Sequence, residues 1–277
     1  MSDACTFRAE DFELLRRRVF EWSGIELRDG KEMMVYRRLA GRVESLGLRG
    51  FTDYLDRVEV DVAERAVCVN LLTTNLTSFF REPQHFETLA HEVLPARLAA
   101  NAASRRLRIW SAGCATGEEP WSLAMVVAET LPDLEHWDAR ILATDINIDA
   151  LDVARDGVYS MSAAERVSPE RLQRWFRRGR GVHEGQVCVK PELRGLVAFK
   201  QLNLIESWPM RGPFDVIFFR NVSIYFDRGT ARRIQEKMVE LLAPGGYLMV
   251  GHSEALLDLS GATEWLGSTT YRKVARP

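Results

Sequence analysis

The sequence predicts an α/β protein: an all-helical N-terminal domain, then a doubly wound (Rossmann-like) parallel sheet with a small antiparallel β-subdomain inserted in it. Three observations predict this. Residues 1–75 show helical apolar periodicity and nothing else, whereas from Leu107 onward short β-rich runs alternate with helical segments. The stretch 159–196 interrupts that alternation and is too long for a plain connector.

The helices come first. Phe12, Leu14, Leu15, Val19, Phe20 and Trp22 form an apolar stripe that stops at Gly24. A second helix is expected from Asp29 to Leu46, closed by Gly47, and a third from Phe51 to Val60. A fourth begins near Asp61 and carries Ala63, Ala66, Val67, Val69 and Leu71. The strands follow as LRIWSAG, RILATDI, LVAFKQLNL, FDVIFFRN and GGYLMVG, several of them almost continuously apolar, as strands covered on both faces are. Helices Glu118–Thr130, Ile148–Asp156 and Thr230–Leu242 separate most of them, and Pro244-Gly245-Gly246 is expected to end the last helix. Within 159–196, Ser168-Pro169-Glu170 starts a capped helix, and the turn Gly179-Arg180-Gly181 leads into hairpin material at QVCVKPEL. The expected domains are therefore 1–75 and 76–277.

Composition narrows the function classes. With 46% apolar and 27% charged residues the chain is neither disordered nor fibrous. A net charge of −2 gives no global field for nucleic acid or for an acidic membrane, and none of those partners is expected. Cys5, Cys68, Cys114 and Cys188 form no C-x-x-C pair, which argues against a zinc site or a disulfide framework. His85, His91, His136, His183 and His252 have no metal-ligand spacing and read as surface or cap residues, so no metal is expected. The acidic MSDACTFRAEDFELL start is no signal peptide and no apolar run approaches a membrane span, so a cytoplasmic monomer is expected.

The sharpest local signal is Ser111-Ala112-Gly113-Cys114-Ala115-Thr116-Gly117-Glu118-Glu119-Pro120, between the first strand and its helix. In a doubly wound sheet that turn lies at the carboxyl edge, where ligands bind. Gly113 and Gly117 permit positive φ and remove a Cβ that would block close approach. Their G-x-x-x-G spacing lacks the G-x-G-x-x-G of a dinucleotide site, and two glutamates at once would repel a pyrophosphate. A cofactor with a cationic end and no phosphate fits better, and S-adenosylmethionine is such a molecule. Asp145, ending the second strand, suits the two hydroxyls of a ribose; an N-cap for the next helix is the other reading. Arg220-Asn221 end a further strand at the same edge.

Together these pieces resemble one family, the chemotaxis receptor glutamate O-methyltransferases of the CheR type. The carrying segments are LTTNLTSFFREPQHF (72–86), SAGCATGEEPWS (111–122), ATDINIDAL (143–151), RGRGVHEG (178–185), FDVIFFRNVSIYFD (214–227) and APGGYLMVGHSEAL (243–256). Phe219 and Ser223 depart from the family pattern without touching the chemistry. The resemblance implies a helical domain, an S-adenosylmethionine domain and an inserted β-subdomain. It implies that Asn75, Thr77 and Arg81 approach the cofactor, that Glu119 binds its amino group, and that Asp145 binds its ribose. Gly113, Asn203, Leu204, Arg220 and Asn221 complete the pocket, with Arg81 and Tyr225 at the reacting centre. The implied reaction methylates glutamate side chains of methyl-accepting chemotaxis receptors, leaving S-adenosylhomocysteine.

Two docking features are expected beside that chemistry. Between Lys31 and Gly50 five basic residues face two acids, and Arg38 and Arg42 share a helix face that could steer the acidic receptor bundle. In the family, a loop like Arg178–Gly185, with Gly179 and Gly181, accompanies binding of a tethering peptide at the receptor's C-terminus.

Overall fold

The computed structural model describes residues 7–131, 133–256, 259 and 261–274, so Cys5 lies outside the described residues. Contacts divide the chain into two units, Met1–Thr74 with Tyr225–Thr230, and Asn75–Ile224 with Ala231–Pro277.

The first unit is helical: α1 (Ala9–Ser23), α2 (Glu32–Ser45), α3 (Phe51–Val60) and α4 (Val62–Leu72). Their apolar stripes meet in one core of Phe12, Leu15, Val19, Leu39, Val43 and Tyr54. Gly24, at φ 73°, closes α1 with its N–H on the Phe20 carbonyl. Asp61 caps α4 by accepting from the Ala63 and Glu64 amides.

This core redirects the two arginines expected to dock a partner. Arg42 forms a two-point pair with Glu64, at 2.9 and 2.6 Å. The Glu64 side chain is only 3% exposed, so the Arg42 charge is spent on a buried acid. Arg38 donates to the carbonyls of Leu72 and Thr73 and to the Thr74 hydroxyl, capping the end of α4. Both side chains have structural partners inside the unit.

The second unit opens with α5 (Pro83–Thr88), a π-helical turn (Leu89–Val93) and α6 (Leu94–Ala100). There follow β1 (Arg106–Ala112), α7 (Glu118–Thr130), β2 (Asp138–Asp145), α8 (Ile148–Asp156), β3 (Val158–Ser160), α9 (Pro169–Trp175), β4 (Phe176–Arg178) and β5 (Gln186–Val189). The chain continues with α10 (Pro191–Arg194), β6 (Val197–Gln201), β7 (Phe214–Phe219), α11 (Arg228–Leu241), β8 (Leu242–Val250), β9 (Thr263–Gly267) and β10 (Thr270–Lys273). Seven strands form one sheet in the order β6-β2-β1-β7-β8-β10-β9. The five strands from β6 to β8 run parallel, and β10 and β9 are antiparallel additions.

The sheet is therefore mixed rather than purely parallel. The two extra strands escape the sequence reading because TEWLG and TYRK are only five and four residues long and carry no continuous apolar run. Pro244-Gly245-Gly246 lies inside β8, at a register shift opposite Phe214 and Val216, and α11 has already ended at Leu241. The inserted segment forms its own antiparallel sheet, β3-β5-β4, with Ser168 capping α9 through the Arg171 amide.

The order of the sheet positions the site. From β1 the chain winds outward through β2 and β6, then returns to place β7 on the other side of β1. Such a switch leaves a crevice outside the carboxyl ends of β1 and β7. A buried ion pair backs it from the far end: Asp215 of β7 accepts from Arg97 at 3.0 and 2.7 Å and from the Arg108 amide at 2.8 Å.

Candidate cofactor site

Beyond Ala112 the chain does not enter α7 directly. The Gly113 and Cys114 amides donate to the Thr144 carbonyl at 2.8 and 2.9 Å, which lays the loop across the end of β2. Gly113 and Gly117 take φ of 80° and 97°. The positive φ is as expected, and the missing Cβ has a further reason. A Cβ on Gly113 would lie 2.3 Å from Val222 Cγ2, and one on Gly117 would lie 2.7 Å from Ala154 Cβ. The missing side chains admit the neighbouring protein, and Gly113 lets the β1 loop nest against the turn after β7.

Asp145 is bound from behind. Its Oδ2 accepts from the Ala115 amide at 2.8 Å and its Oδ1 from the Asn147 amide at 2.9 Å. The cap of α8 is Asn147, which accepts from the Ala150 amide, so the N-cap reading of Asp145 fails. Burial raises the Asp145 pKa against the lowering effect of those amides. Leu202 donates its amide to the Asp145 carbonyl, which brings the following Asn203 and Leu204 to the same end. Asn203 donates to Glu206 at 2.9 Å, and Leu204 is buried.

Glu118 and Glu119 separate in role. Glu118 accepts from the Thr116 hydroxyl at 2.7 Å and stays within its own loop. Glu119 accepts from the Ser111 hydroxyl at 2.7 Å and from Arg220 Nη1 at 3.3 Å. Desolvation raises the Glu119 pKa, with Arg220 and Ser111 opposing it.

Arg220 is the hub. Its side chain is 1% exposed and lies between Glu119 and Glu82, which it meets through Nη2 at 3.1 Å. Nη2 also donates to the Arg81 carbonyl, and the guanidinium sits 5.4 Å from the centre of the Phe86 ring. Asn221 donates from Nδ2 to Glu82 Oε1 at 3.2 Å and is held at φ 58°. What holds it is Glu254. That carboxylate accepts from the amides of Asn221 (2.6 Å), Val222 (3.0 Å), Ser223 (2.7 Å) and Gly251 (2.7 Å) and from the Ser223 hydroxyl (2.7 Å).

The structure thus brings together Gly113, Glu119, Asp145, Asn203, Leu204, Arg220 and Asn221. Arg81 is half-buried beside them, with Nη1 on the Leu76 carbonyl at 2.9 Å, and Asn75 and Thr77 lie half-exposed on the segment before α5. Tyr225 groups with the first unit. Gly179 and Gly181 lie apart, in the β4–β5 loop, where a Cβ on Gly179 would fall 1.9 Å from the His183 carbonyl oxygen. That glycine is required for the loop itself. Sequence reasoning missed Glu82 and Glu254 as site residues, although both stand inside the quoted motifs FFRE and GHSE.

His85 also departs from expectation: it is fully buried rather than a surface histidine. Its Nε2 meets the Ser268 carbonyl at 2.8 Å and must donate there, which leaves Nδ1 unprotonated, 3.4 Å from Glu82 Oε2. Burial and Arg220 push its pKa down to about 4. Glu82, His85 and His252 bring three possible ligand atoms within 4.8 Å of one another. Arg220 on the same carboxylate opposes a second cation there.

The donor set fits S-adenosylmethionine. Two carboxylates with their rear lone pairs occupied stand at the carboxyl edge, one suited to an ammonium and one to a diol. A phosphate cofactor would meet those same negative charges.

Comparison with known proteins agrees. The family model described as CheR methyltransferase, SAM binding domain, matches residues 75–272, and the CheR methyltransferase all-alpha domain matches residues 10–73. Chemotaxis protein methyltransferase 2 of Pseudomonas aeruginosa is 41% identical over 266 residues, covering 96% of this chain and 93% of its own. The chemotaxis protein methyltransferase of Escherichia coli is 41% identical over 275 residues, covering 98% and 93%. That of Salmonella typhimurium is 42% identical over 264 residues, covering 94% and 88%.

Proposed function

The chain belongs to the CheR methyltransferase family and is an S-adenosylmethionine-dependent methyltransferase; from that premise we propose that it methylates glutamate side chains of chemoreceptors. The products are glutamyl methyl esters and S-adenosylhomocysteine.

One observation carries the choice of a carboxylate acceptor. The pocket's acids are committed to holding partners, Asp145 and Glu254 to backbone amides and Glu119 to Ser111 and Arg220. The buried His85 imidazole keeps its lone pair toward Glu82. A glutamate needs none of them as a base, because with a pKa near about 4.3 it is already ionised at neutral pH. The bound cofactor supplies a methyl carbon on a sulfonium. What remains for the protein is orientation and exclusion of water.

The proposed residue roles are supported by this geometry for Glu119, Asp145, Arg220 and Asn221 and by the family resemblance for the others. Glu119 holds the cofactor's ammonium, Asp145 its ribose hydroxyls, and Asn203 and Leu204 border the same end. Arg220 and Asn221 order the strand ends, with Asn75 and Thr77 along the cofactor. Arg81, with one nitrogen on Leu76 and the rest of its fork open, orients the incoming carboxylate without neutralising it.

The partner surfaces need revision. Arg38 and Arg42 have internal roles, so the exposed Lys31 and Arg37 are the better candidates for steering an acidic receptor bundle. In the β3-β5-β4 sheet the two outer strands each keep a free edge, to which an extended receptor peptide can add. No described helix is long and apolar enough to cross a membrane.

Purified protein, radiolabelled S-adenosylmethionine and receptor-bearing membranes test the proposal. It requires label on the receptor that mild base releases as methanol. Label that resists base means N-methylation and a different acceptor.

A further inference from the structure

Glu82 lies outside every role assigned above, yet three donors converge on its carboxylate beside Arg220. It accepts from Arg220 Nη2 at 3.1 Å, Asn221 Nδ2 at 3.2 Å and the His252 amide at 3.3 Å. The residue adopts φ 58°, a conformation that disfavours any side chain with a Cβ and persists only where its surroundings hold it. Asn221 and Arg220 hold its charged form and lower its pKa against desolvation. His85, with its pKa pushed down to about 4, adds no charge opposite it; the half-exposed His252 lies 4.0 Å away.

The charges around this cluster can be counted. Glu82 and Glu119 both face Arg220, and Arg81 stands at the edge. Remove Glu82, and the buried guanidinium would be left to Glu119 alone. With Arg81 counted, that cluster would carry one net positive charge and would repel a cation. With Glu82 present, the two carboxylates balance the two guanidiniums.

The cofactor and the product differ in that same quantity. S-adenosylmethionine has a sulfonium, an ammonium and a carboxylate and is a net monocation. S-adenosylhomocysteine has lost the sulfonium and is net neutral. We infer that Glu82 sets the charge of the cofactor pocket: by offsetting Arg220 it keeps the pocket from becoming net positive, so its removal costs the cationic cofactor more than the neutral product. This rests on the cofactor reading given above. Glu82 touches neither reacting atom and acts through Arg220, as a positioning residue.

The test is the ratio of two affinities, measured by calorimetry on the full chain without a methyl acceptor. In Glu82→Gln, binding of S-adenosylmethionine weakens about tenfold or more, while S-adenosylhomocysteine changes less than about threefold. Sinefungin, whose amine replaces the sulfonium, follows the cofactor. Glu82→Asp keeps the charge and keeps the wild-type ratio. Arg220→Gln moves the ratio the opposite way, and it carries the test if Glu82→Gln does not fold. Equal weakening of all three ligands in Glu82→Gln would mean a structural prop and overturns the inference, as does no change in any. A wild-type chain that binds neither cofactor nor product overturns the cofactor reading and this inference with it.

Discussion

Replacing Glu254 with glutamine changes one atom at the point where the turn after β7 is built. The carboxylate is nearly buried and satisfies five donors, two on Oε2 (Asn221 and Gly251 amides) and three on Oε1 (Val222 and Ser223 amides and the Ser223 hydroxyl). A glutamine keeps only one acceptor oxygen. In its better orientation that oxygen serves the group of three, and its NH2 faces the amides of Asn221 and Gly251. Two buried donors then lose their acceptor at about 1–3 kcal/mol each, and the remaining bonds lose their charge assistance. Relief of carboxylate desolvation offsets part of this, so the expected net loss is about 3 kcal/mol. For a chain of this size that lowers the melting temperature by about 8 °C. The turn also holds Asn221 at φ 58° and packs Val222 against Gly113. Once released, the binding-competent turn is less populated, and affinity for S-adenosylhomocysteine falls by up to about a hundredfold. Scanning calorimetry and titration calorimetry read the two effects. A Glu254→Gln protein that melts within about 2 °C of wild type and binds product normally refutes the reasoning.

Three further outcomes are expected. Burial raises the Glu119 pKa, so its ionised form opposes folding and stability is lost as pH rises from the unfolded value through the folded one; Glu119→Gln should melt no lower than wild type at neutral pH and bind S-adenosylmethionine more weakly, whereas lower melting with normal binding contradicts the assignment. His85 has its pKa lowered from 6.5 to about 4, so the unfolded chain takes that proton first and stability falls between those pH values as acid is added. The loss totals about 3 kcal/mol, and urea unfolding across that range should show a shallower slope for His85→Asn. Arg42→Ala strands the buried Glu64 carboxylate and should destabilise the protein by about 2 kcal/mol with no receptor present; unchanged unfolding would return Arg42 to a docking role.

How far the sequence led can be argued from particular elements. Helices α1 to α4 and strands β1, β2, β6, β7 and β8 were legible because their apolar periods are strong and their ends carry glycines or caps. β9 and β10 were not, since they are short edge strands whose pairing depends on β8. In the site, Gly113, Arg220 and Asn221 announced themselves by standing just past strand ends, Asp145 by ending β2 and Glu119 by its place in the first turn of α7. Glu82 and Glu254 did not, because each acts on partners far along the chain: Glu82 on Arg220 and Glu254 on Asn221. The internal partners of Arg38 and Arg42 were hidden for the matching reason. A basic helix face looks the same in sequence whether it meets solvent or, as Arg42 does, a buried glutamate on another helix.

The central claim is that this pocket delivers a methyl group to receptor glutamates. The most direct measurement incubates the protein with a receptor signalling fragment and deuteromethyl-labelled S-adenosylmethionine, then locates the label by tandem mass spectrometry. The account predicts labelled methyl esters on glutamate side chains with the wild-type chain and a strong reduction with Glu119→Gln. Label on lysine or on a main-chain terminus, or equal labelling by the two proteins, would contradict it.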